Sequence, residues 1–334
     1  MSPTIIDIAK MANTSKSTVS RYLNGGKVRA STAKRIEEAI RKLKYKPNVN
    51  ARRLVLNKTN VIGVVVDDIS NIYYSGVLAG IQAVASQYGY VCTFYSRAAY
   101  KKDEKDYLDL FKEGQVDGLI LGTFQIRDPE EMEHIAESGY PIIFIGDNAS
   151  NSAVSSIDID NVQGVIDIIK YLHSLGHKRI AHLRGPSNMS AANLRLEGFV
   201  KGMKSCGLEP DPELIIESDW TVEGGYTATN KLLDRAKFTA LVCSNDYCAN
   251  GAIKAIQSRG LRVPEDISVT GFDNSILAEY TSPPITTVKQ PFYDLGKIAV
   301  KHLVDIMEGD IPLKTAILLQ PIMVIRSSCG KAPW

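Results

Sequence analysis

The sequence predicts a small all-α headpiece followed by a large α/β core of two lobes, each built on a doubly wound parallel sheet. Three features lead to this prediction. Positive charge is concentrated in the first 58 residues, apolar residues there recur at helical spacing, and from Val61 onward apolar strand-like runs alternate with amphipathic stretches. A chain of 334 residues is too long for one ordinary core, so two or three domains are expected.

Charge divides the chain into two unlike parts. The first 58 residues contain 14 Lys or Arg and three acids (Asp7, Glu37 and Glu38), so they carry +11. The other residues contain 25 Lys or Arg and 34 acids and carry −9, although the whole chain is only +2. A short folded segment with concentrated positive charge is typical of a nucleic-acid-binding domain. The acidic remainder would be repelled by phosphates.

Two short helices are predicted near the N-terminus. Thr4 and Asp7 fit a capping box, and helically spaced apolar residues continue over about 5–12. After a two-residue break, Ser15 can cap a second helix over about 16–23. Two helices joined by a short turn make a helix-turn-helix, the commonest small device for placing a helix in a major groove.

The second helix has one face suited to a core and one suited to DNA. Val19 and Leu23 are expected to be buried, and the outward face carries short polar or long cationic side chains, which suit base edges and phosphates. Those side chains are Lys16, Ser17, Ser20 and Arg21. A third amphipathic helix over about 31–43, ending before Pro47, would complete the core. DNA binding is favoured, and a solvated basic domain without a specific partner is the alternative.

The segment 48–56 is predicted to be a hinge helix between the headpiece and the core. Its two turns are too short to be helical alone in water. Leu54 and Leu56 have no local core to enter, and a leucine flanked by Arg suits insertion between base steps in a minor groove. Packing of a linker leucine on the core is the alternative, and it fits Leu56 better than Leu54.

Three runs of the first 54 residues together carry a family resemblance. They are Thr-x-x-Asp-Ile-Ala, then Ser-x-Ser-Thr-Val-Ser-Arg-Tyr-Leu-Asn, and then Tyr-Lys-Pro-Asn-x-x-Ala-Arg-x-Leu. This pattern resembles the headpiece of the LacI/GalR family of transcriptional repressors. The resemblance implies that Lys16, Ser17 and Arg21 read the major groove. It also implies that Leu54 enters the minor groove from a hinge helix that folds only on operator DNA. The full set of implied DNA-binding residues is Thr4, Thr14, Ser15, Lys16, Ser17, Thr18, Ser20, Arg21, Asn24, Tyr45, Asn48, Ala51 and Leu54.

From Val61 onward, eight apolar runs are predicted to be buried parallel strands beside amphipathic helices. The runs are 61–66, 90–95, 118–122, 141–146, 179–183, 214–216, 240–244 and 267–271. They form two similar blocks divided near 159–161, which predicts two open α/β lobes. Ligands in such folds bind beyond the carboxyl ends of the strands. The polar residues found there are Asp67, Asp68, Asp147, Asn148, Arg184, Asn245, Asp246, Asp273 and Asn274.

Motifs throughout this second part are similar to the periplasmic-binding-protein-like core of the same family. They are Asp68-Ile-Ser-Asn71-x-Tyr73-Tyr74, Arg195-x-Glu-Gly-Phe199, Asp219-Trp220, Ser244-Asn-Asp246, Gly271-Phe-Asp-Asn274 and Lys289-Gln-Pro-Phe292. The resemblance implies an interlobe cleft lined by Asn71, Tyr73, Asp147, Arg195, Trp220, Asn245, Asp246, Asp273, Gln290 and Phe292. Arg, Asp and Asn for hydroxyls, with aromatic planes, suit a sugar. Gln290 and Phe292 could instead stabilise a crossover strand, and Gly146 stands where the family often places the Asp, so Asp147 departs from its pattern.

The predicted domain boundaries follow from these patterns. The headpiece is 1–47, the hinge and linker are 48–59, and the ligand-binding and dimerisation core is 60–334. Within the core, the first lobe comprises about 60–159 and 290–321, and the second comprises about 160–289 and 322–330.

Other functional classes find little support in the sequence. It contains no GxGxxG, P-loop or nucleophile elbow, and its five cysteines form no CxxC, so no enzyme, cofactor or metal site is predicted. His173, His177 and His182 lack metal-ligand spacing. Asp158 and Asp160 could pair as acid and base, but a strand–loop–helix cap is the better interpretation. Without an apolar run of about 20 residues or a secretory signal, a cytoplasmic protein without membrane contact is expected.

The predicted function is therefore a repressor whose affinity for double-stranded operator DNA is controlled by a small, sugar-like ligand. A homodimer is expected, because one helix-turn-helix covers only a few base pairs. The alternative within the same architecture is a regulator controlled by a corepressor or a phosphoprotein. A solute-binding protein of a transporter is a more remote alternative. A ligand that separates the two hinges would induce transcription and one that brings them together would corepress; we favour induction.

The hinge interpretation predicts a selective defect for Leu54→Ala. Operator affinity should fall, because the wedge side chain acts in the minor groove, while the ligand affinity of the DNA-free protein should be unchanged. Gel-shift and ligand titrations measure the two affinities, and Leu56→Ala is the matched control. Unchanged operator affinity in Leu54→Ala would contradict the interpretation.

Overall fold

The chain folds into two compact units, residues 1–59 and 60–334. A computed structural model provides the structure of the protein. It describes residues 3–23, 25–45, 58–71, 73–97, 104–122, 129–146 and 154–333.

The first unit is a three-helix domain. Its helices are α1 (Ile5–Met11), α2 (Lys16–Leu23) and α3 (Ala30–Leu43). The buried core consists of Ile8, Ala9, Ala12, Val19, Ile36, Ala39 and Tyr45. The periodic apolar residues of each helix meet there, and the predicted all-α fold is confirmed.

Local hydrogen bonds set the helix boundaries in this unit. The Asp7 carboxylate accepts from the amide of Thr4 at 2.8 Å and from its hydroxyl at 2.7 Å, at the start of α1. At the start of α2, the Ser15 hydroxyl oxygen accepts from the amide of Thr18 at 3.2 Å. The third helix begins at Ala30, slightly earlier than expected, because the preceding Arg29 has the extended backbone of an N-cap.

The second unit alternates strands and helices, as expected. In chain order they are β1 (Val61–Val66), α4 (Tyr73–Gln87), β2 (Val91–Ser96), a 3-10 turn (Glu104–Leu108), α5 (Asp109–Lys112), β3 (Gly118–Gly122), α6 (Pro129–Glu137), β4 (Ile142–Ile145), β5 (Ser155–Ile159), α7 (Asn161–Ser174), β6 (Ile180–Arg184), α8 (Ser190–Ser205), a 3-10 turn (Pro212–Leu214), β7 (Ile215–Glu217), α9 (Val222–Arg235), β8 (Ala240–Cys243), α10 (Asp246–Ser258), β9 (Ser268–Thr270), α11 (Ile276–Tyr280), β10 (Thr287–Lys289), α12 (Phe292–Glu308), β11 (Ala316–Leu319) and β12 (Ile322–Val324).

Two parallel sheets define two lobes. The first has the strand order β11-β5-β4-β3-β1-β2, and the second has the order β7-β6-β8-β9. Helices α4 and α12 pack against the first sheet, and α8, α9 and α10 pack against the second. Because such sheets are covered on both faces, β1, β3 and β4 are buried along their whole length. This arrangement confirms the predicted two-lobed α/β core.

Within the described residues, the chain passes between the two sheets three times. The first passage joins β5 to α7, the second joins β10 to α12, and the third joins β11 to β12. Strands β10 and β12 pair antiparallel, apart from either sheet, with Val288 opposite Met323. The Asp160 amide donates to the Leu319 carbonyl at 2.9 Å, which joins the first and third passages.

Glycines allow α4 and α12 to approach each other closely. A side-chain carbon at Gly296 would overlap the carbonyl oxygen of Val77 and lie 2.8 Å from the amide nitrogen of Ile81. At Gly80 it would overlap the carbonyl oxygen of Tyr293. The two backbones therefore touch where neither helix has a side chain.

This packing predicts that Gly296→Ala destabilises the core. The added methyl must push the helices apart, which should lower the free energy of unfolding by about 1–3 kcal/mol. Urea unfolding followed by circular dichroism measures the change. Gly122→Ala is the matched control, because its methyl would lie 3.6 Å from the nearest atom. Equal stabilities of the two variants would contradict the prediction.

Candidate DNA interface and ligand cavity

The outward face of α2 presents the side chains expected to meet DNA. Lys16, Ser17 and Arg21 are exposed. The hydroxyl oxygen of Ser15 lies 2.8 Å from those of Ser17 and Thr18, so these hydroxyls form one hydrogen-bonded group. Cationic side chains flanking an ordered set of hydroxyls can contact phosphates and base edges at the same time.

The other residues implicated in DNA binding differ in accessibility. Thr4 is exposed, whereas Thr14 and Ser20 are half-buried. Tyr45 is only 9% exposed and belongs to the core of the domain. The remaining members of the set, Asn24, Asn48, Ala51 and Leu54, lie outside the described residues.

A cavity of about 470 Å³ lies between the two lobes of the second unit. This volume falls within the usual range for small-molecule sites. It is lined by Ser70, Asn71, Asp158, Asn161, Ala191, Arg195, Trp220, Thr221, Val222, Asn245, Tyr247, Asp273 and Gln290. Polar side chains therefore converge with one indole ring on a concave surface.

Arg195 is the buried cation of this cavity, with 5% of its surface exposed. Its Nε donates to Asn161 Oδ1 at 2.9 Å, Nη1 donates to the Ser244 carbonyl, and Nη2 donates to Asp273 Oδ1 at 3.4 Å. Its guanidinium carbon also lies 3.9 Å from the centroid of the Phe272 ring. A buried charge is costly unless it is paired, and these contacts both neutralise and orient the guanidinium.

The Asp273 carboxylate is held through one of its oxygens. Oδ1 accepts from Gln290 Nε2 at 2.6 Å as well as from Arg195. Among the described residues these are its side-chain partners, which leaves Oδ2 available to a ligand hydroxyl. Burial raises the pKa of Asp273, although the Arg195 charge and the bonds from Gln290 and Arg195 act to lower it.

Asp246 is buried and does not line the cavity. Its Oδ1 accepts from the Thr287 hydroxyl at 2.6 Å, and its Oδ2 accepts from the Ser275 amide at 2.6 Å. Burial, and then the negative charge of Asp273, raise the pKa of Asp246 to about 7. Asp246 is the first residue of α10, and its carboxylate therefore joins the start of α10 to β10 and to the turn before α11.

Hydrogen bonds with neighbouring residues hold Trp220 in place. Its Nε1 donates to the Ser244 hydroxyl at 3.0 Å, and its carbonyl accepts from Asn245 Nδ2 at 3.0 Å. Trp220 has a left-handed backbone, with φ of 66°. A side chain at Gly185 would overlap the indole, so the glycine at this position makes room for the ring.

The structure brings part of the implied ligand set together. Asn71, Arg195, Trp220, Asn245, Asp273 and Gln290 line the cavity. Asp246 and Phe292 do not; the side chain of Phe292, at the start of α12, packs beside Gly76 of α4. The side chain of Tyr73 and the whole of Asp147 lie outside the described residues.

Sequence reasoning missed several lining residues, of which Asp158 and Asn161 are the most informative. Both lie at the carboxyl end of β5, where ligands are expected in this fold. The polar residues of β5 interrupt its apolar pattern, so an apolar run does not reveal the strand that ends beside them. Asp160 accepts from the Gln163 amide at 2.8 Å as the cap of α7, in agreement with the helix-cap interpretation.

His177 and His182 are buried in the second lobe. His182 is fully buried, its Nδ1 lies 2.9 Å from the Val242 carbonyl, and burial lowers its pKa to about 4. His177 lies within hydrogen-bond distance of Thr239 and the Gly330 carbonyl. No group of three or more His, Cys, Asp or Glu in the described part of the chain could hold a metal ion. No described helix is long and apolar enough to cross a membrane.

Two family models match the chain. Residues 4–48 match the bacterial regulatory proteins of the lacI family, and residues 169–329 match a periplasmic binding protein-like domain. The HTH-type transcriptional repressor CytR of Escherichia coli strain K12 is 35% identical over 335 residues, which cover 99% of this chain and 97% of that protein.

Solved structures share this architecture over nearly the whole chain. The lac repressor dimer bound to operator and the anti-inducer ONPF has a TM-score of 0.87 at 30% identity, covering 99% of this chain and 100% of that one. The complex of the transcriptional regulator CelR with cellobiose has a TM-score of 0.73 at 30% identity, covering 98% and 99%.

The buried carboxylate of Asp246 predicts a pH-dependent stability. Because its folded-state pKa is raised, the unfolded chain loses this proton first as pH rises. The free energy of unfolding should therefore fall between about pH 4 and pH 7. Asp246→Asn should flatten this slope, because it removes the carboxyl that titrates. The variant should still fold, since an amide can turn its oxygen to the Ser275 amide and donate to the Thr287 hydroxyl.

Urea unfolding at several pH values measures the slope. Asp234→Asn is the control, because that carboxylate is 62% exposed. An unchanged slope in Asp246→Asn, relative to the wild type and the control, would contradict the prediction.

Proposed function

Because this chain belongs to the LacI family of bacterial regulatory proteins, we propose that it is a DNA-binding transcriptional repressor controlled by a small ligand. The observation that carries the proposal is the interlobe cavity in a chain that also carries a helix-turn-helix. The headpiece of residues 1–47 would bind operator DNA, residues 48–59 would form the hinge, and residues 60–334 would bind the ligand.

In the proposed complex, α2 enters the major groove. Its exposed Lys16, Ser17 and Arg21 would contact base edges and phosphates, and Leu54 would enter the minor groove. The charge of +11 on the first 58 residues supports this orientation, because phosphates attract that segment and repel the rest of the chain.

We propose that the repressor acts as a homodimer on two half-sites. The similar lac repressor structure is a dimer bound to operator. The surface of the second unit offers exposed apolar side chains that a partner could cover: Ile276 and Tyr280 on α11 are 64% and 77% exposed, and Val91 at the start of β2, an edge strand, is 66% exposed.

The chemistry of the cavity favours a neutral ligand with several hydroxyls. Asp158 and Asp273 outnumber Arg195 among the lining charges, so a phosphate or carboxylate would meet net repulsion. The carboxylates accept from hydroxyls, and the Trp220 ring offers a plane for the apolar face of a sugar. The similar regulator CelR has been solved with cellobiose, which supports a sugar or sugar derivative here.

Ligand binding would change the affinity for DNA by acting on the passages between the lobes. The cavity residues Asn161 and Gln290 lie beside the first and second passages, so a bound ligand can favour one arrangement of the lobes. The proposed function involves no catalytic step. Since a bacterial operator lies in the cytoplasm, it also places the protein there.

The assignment of α2 predicts that Lys16→Ala and Arg21→Ala each weaken operator binding. Loss of one base-edge contact should cost about 1–3 kcal/mol. Fluorescence anisotropy with operator DNA at fixed salt measures the affinity. Lys42→Ala is the matched control, because Lys42 is an exposed lysine of α3 paired with Glu38. Wild-type affinity in both α2 variants would contradict the assignment.

The assignment of the cavity predicts the complementary defect. A thermal-shift screen against neutral sugars and their phosphates should yield a neutral sugar as ligand. Asp273→Asn and Arg195→Lys should then lose most of the thermal shift while binding operator normally without ligand, because these groups lie in the cavity. Asp234→Asn should respond like the wild type. A normal response in Asp273→Asn would refute the cavity as the ligand site.

A further inference from the structure

The turn that presents Asp273 to the cavity has a strained backbone. Asp273 has a φ of 108° and Asn274 has a φ of 53°, both in the left-handed region that side chains other than glycine rarely adopt. Two successive residues of this kind persist only where the surroundings hold them. The contacts of Asn274 therefore contribute to the position of Asp273, in addition to the contacts of Asp273 itself.

Arg326 holds the side chain of Asn274, whose backbone amide also donates to the Thr287 hydroxyl at 3.4 Å. Its Nη2 donates to Asn274 Oδ1 at 2.7 Å, and its Nη1 donates to the Ile285 carbonyl at 2.8 Å. Its backbone amide donates to the Thr286 hydroxyl at 3.0 Å. A planar guanidinium holds two acceptors at a defined angle, so Arg326 fixes Asn274 relative to the segment that leads into β10.

We propose that Arg326, which does not line the cavity, is the positioning residue that keeps Asp273 aimed at the ligand. It does so by locking Asn274 in its left-handed conformation. The importance of this role for ligand binding rests on the proposed function, but the positioning itself can be tested without a ligand.

The place of Arg326 in the fold also gives it a role in coupling. Arg326 follows β12, the strand reached by the third passage between the lobes, and β12 pairs with β10. Gln290 follows β10 directly and binds Asp273. Asp273 is therefore held through one neighbour on the second passage and, by way of Asn274, through Arg326 after the third. A shift of the β10–β12 pair would move the carboxylate that meets the ligand.

The first test is hydrogen exchange of the full-length protein carrying Arg326→Met. Amides of residues 271–280 should exchange at least about tenfold faster than in the wild type, while the rest of the second lobe beyond the neighbouring segment 284–288 keeps its rate. Arg262→Met is the matched control, because Arg262 is an exposed arginine paired with Asp266. Unchanged exchange over 271–280, or an equal increase throughout the lobe, would overturn the proposal.

The second test uses the fluorescence of Trp220 to detect movement of the Asp273 carboxylate. Trp220 is the tryptophan that remains after Trp334→Phe. In this background, iodide and acrylamide quench the indole fluorescence, and negative charge at the cavity disfavours iodide. Arg326→Met should raise iodide quenching relative to acrylamide, toward the value of Asp273→Asn. Iodide is an anion, so loss of the Arg326 positive charge without movement of Asp273 would lower iodide quenching. An unchanged or lower ratio of iodide to acrylamide quenching would therefore overturn the proposal.

A third variant keeps the proposal testable if Arg326→Met does not fold. Asn274→Gly removes the acceptor but adopts the left-handed backbone without strain. It should raise the exchange of 271–280 by itself, and unchanged exchange in this variant would overturn the proposal. Where Arg326→Met folds, adding it to Asn274→Gly should raise the exchange little further, because both changes remove the bond between Arg326 and Asn274. Additive effects of the two substitutions would show that Arg326 acts elsewhere.

Discussion

The burial of the Arg195 guanidinium is the constraint on which the ligand cavity depends. A cation with 5% exposure is tolerated only when its donors are satisfied, and its partners come from three separate places in the second lobe. Asn161 begins α7, Ser244 follows β8 and Asp273 follows β9. Because one rigid fork serves all three, the segments that carry these partners converge at the cavity.

The same network connects the cavity to the segments that join the lobes. Asn161 lies beside the first passage and Gln290 follows β10 on the second, and each binds a member of the Arg195–Asp273 pair. Asp246 ties β10 to α10 beneath them. In the proposed function, a ligand bonded to Asp273 would therefore act on groups whose positions depend on how the lobes meet. Differential contact of this kind is what a ligand needs in order to shift a conformational equilibrium.

Much of the fold could be predicted from the sequence, because continuous apolar runs such as β1 and β3 and helical spacing in α1–α3 are direct signs of burial. The family resemblance, whose motifs span the chain, was also confirmed by the family models and by the 35% identity to CytR over 99% of this chain. Strand β11 was missed, because part of it is exposed at a sheet edge. Strand β5 was expected only as the strand of the strand–loop–helix cap and not among the buried parallel strands, because Asp158 interrupts its apolar residues. It was harder to predict which side chains line the cavity. Asp246 adjoins lining residues in sequence yet turns toward Thr287, which only tertiary packing decides.

Reciprocal linkage in the wild-type protein tests most directly whether cavity and headpiece form one regulatory system. Operator affinity is measured with and without the neutral sugar that gives the largest thermal shift, and the affinity for that sugar is measured with and without operator. The two factors should be equal, as thermodynamic linkage requires, and of about 5- to 150-fold. If the sugar binds in the cavity and neither affinity responds to the other partner, the cavity does not control DNA binding.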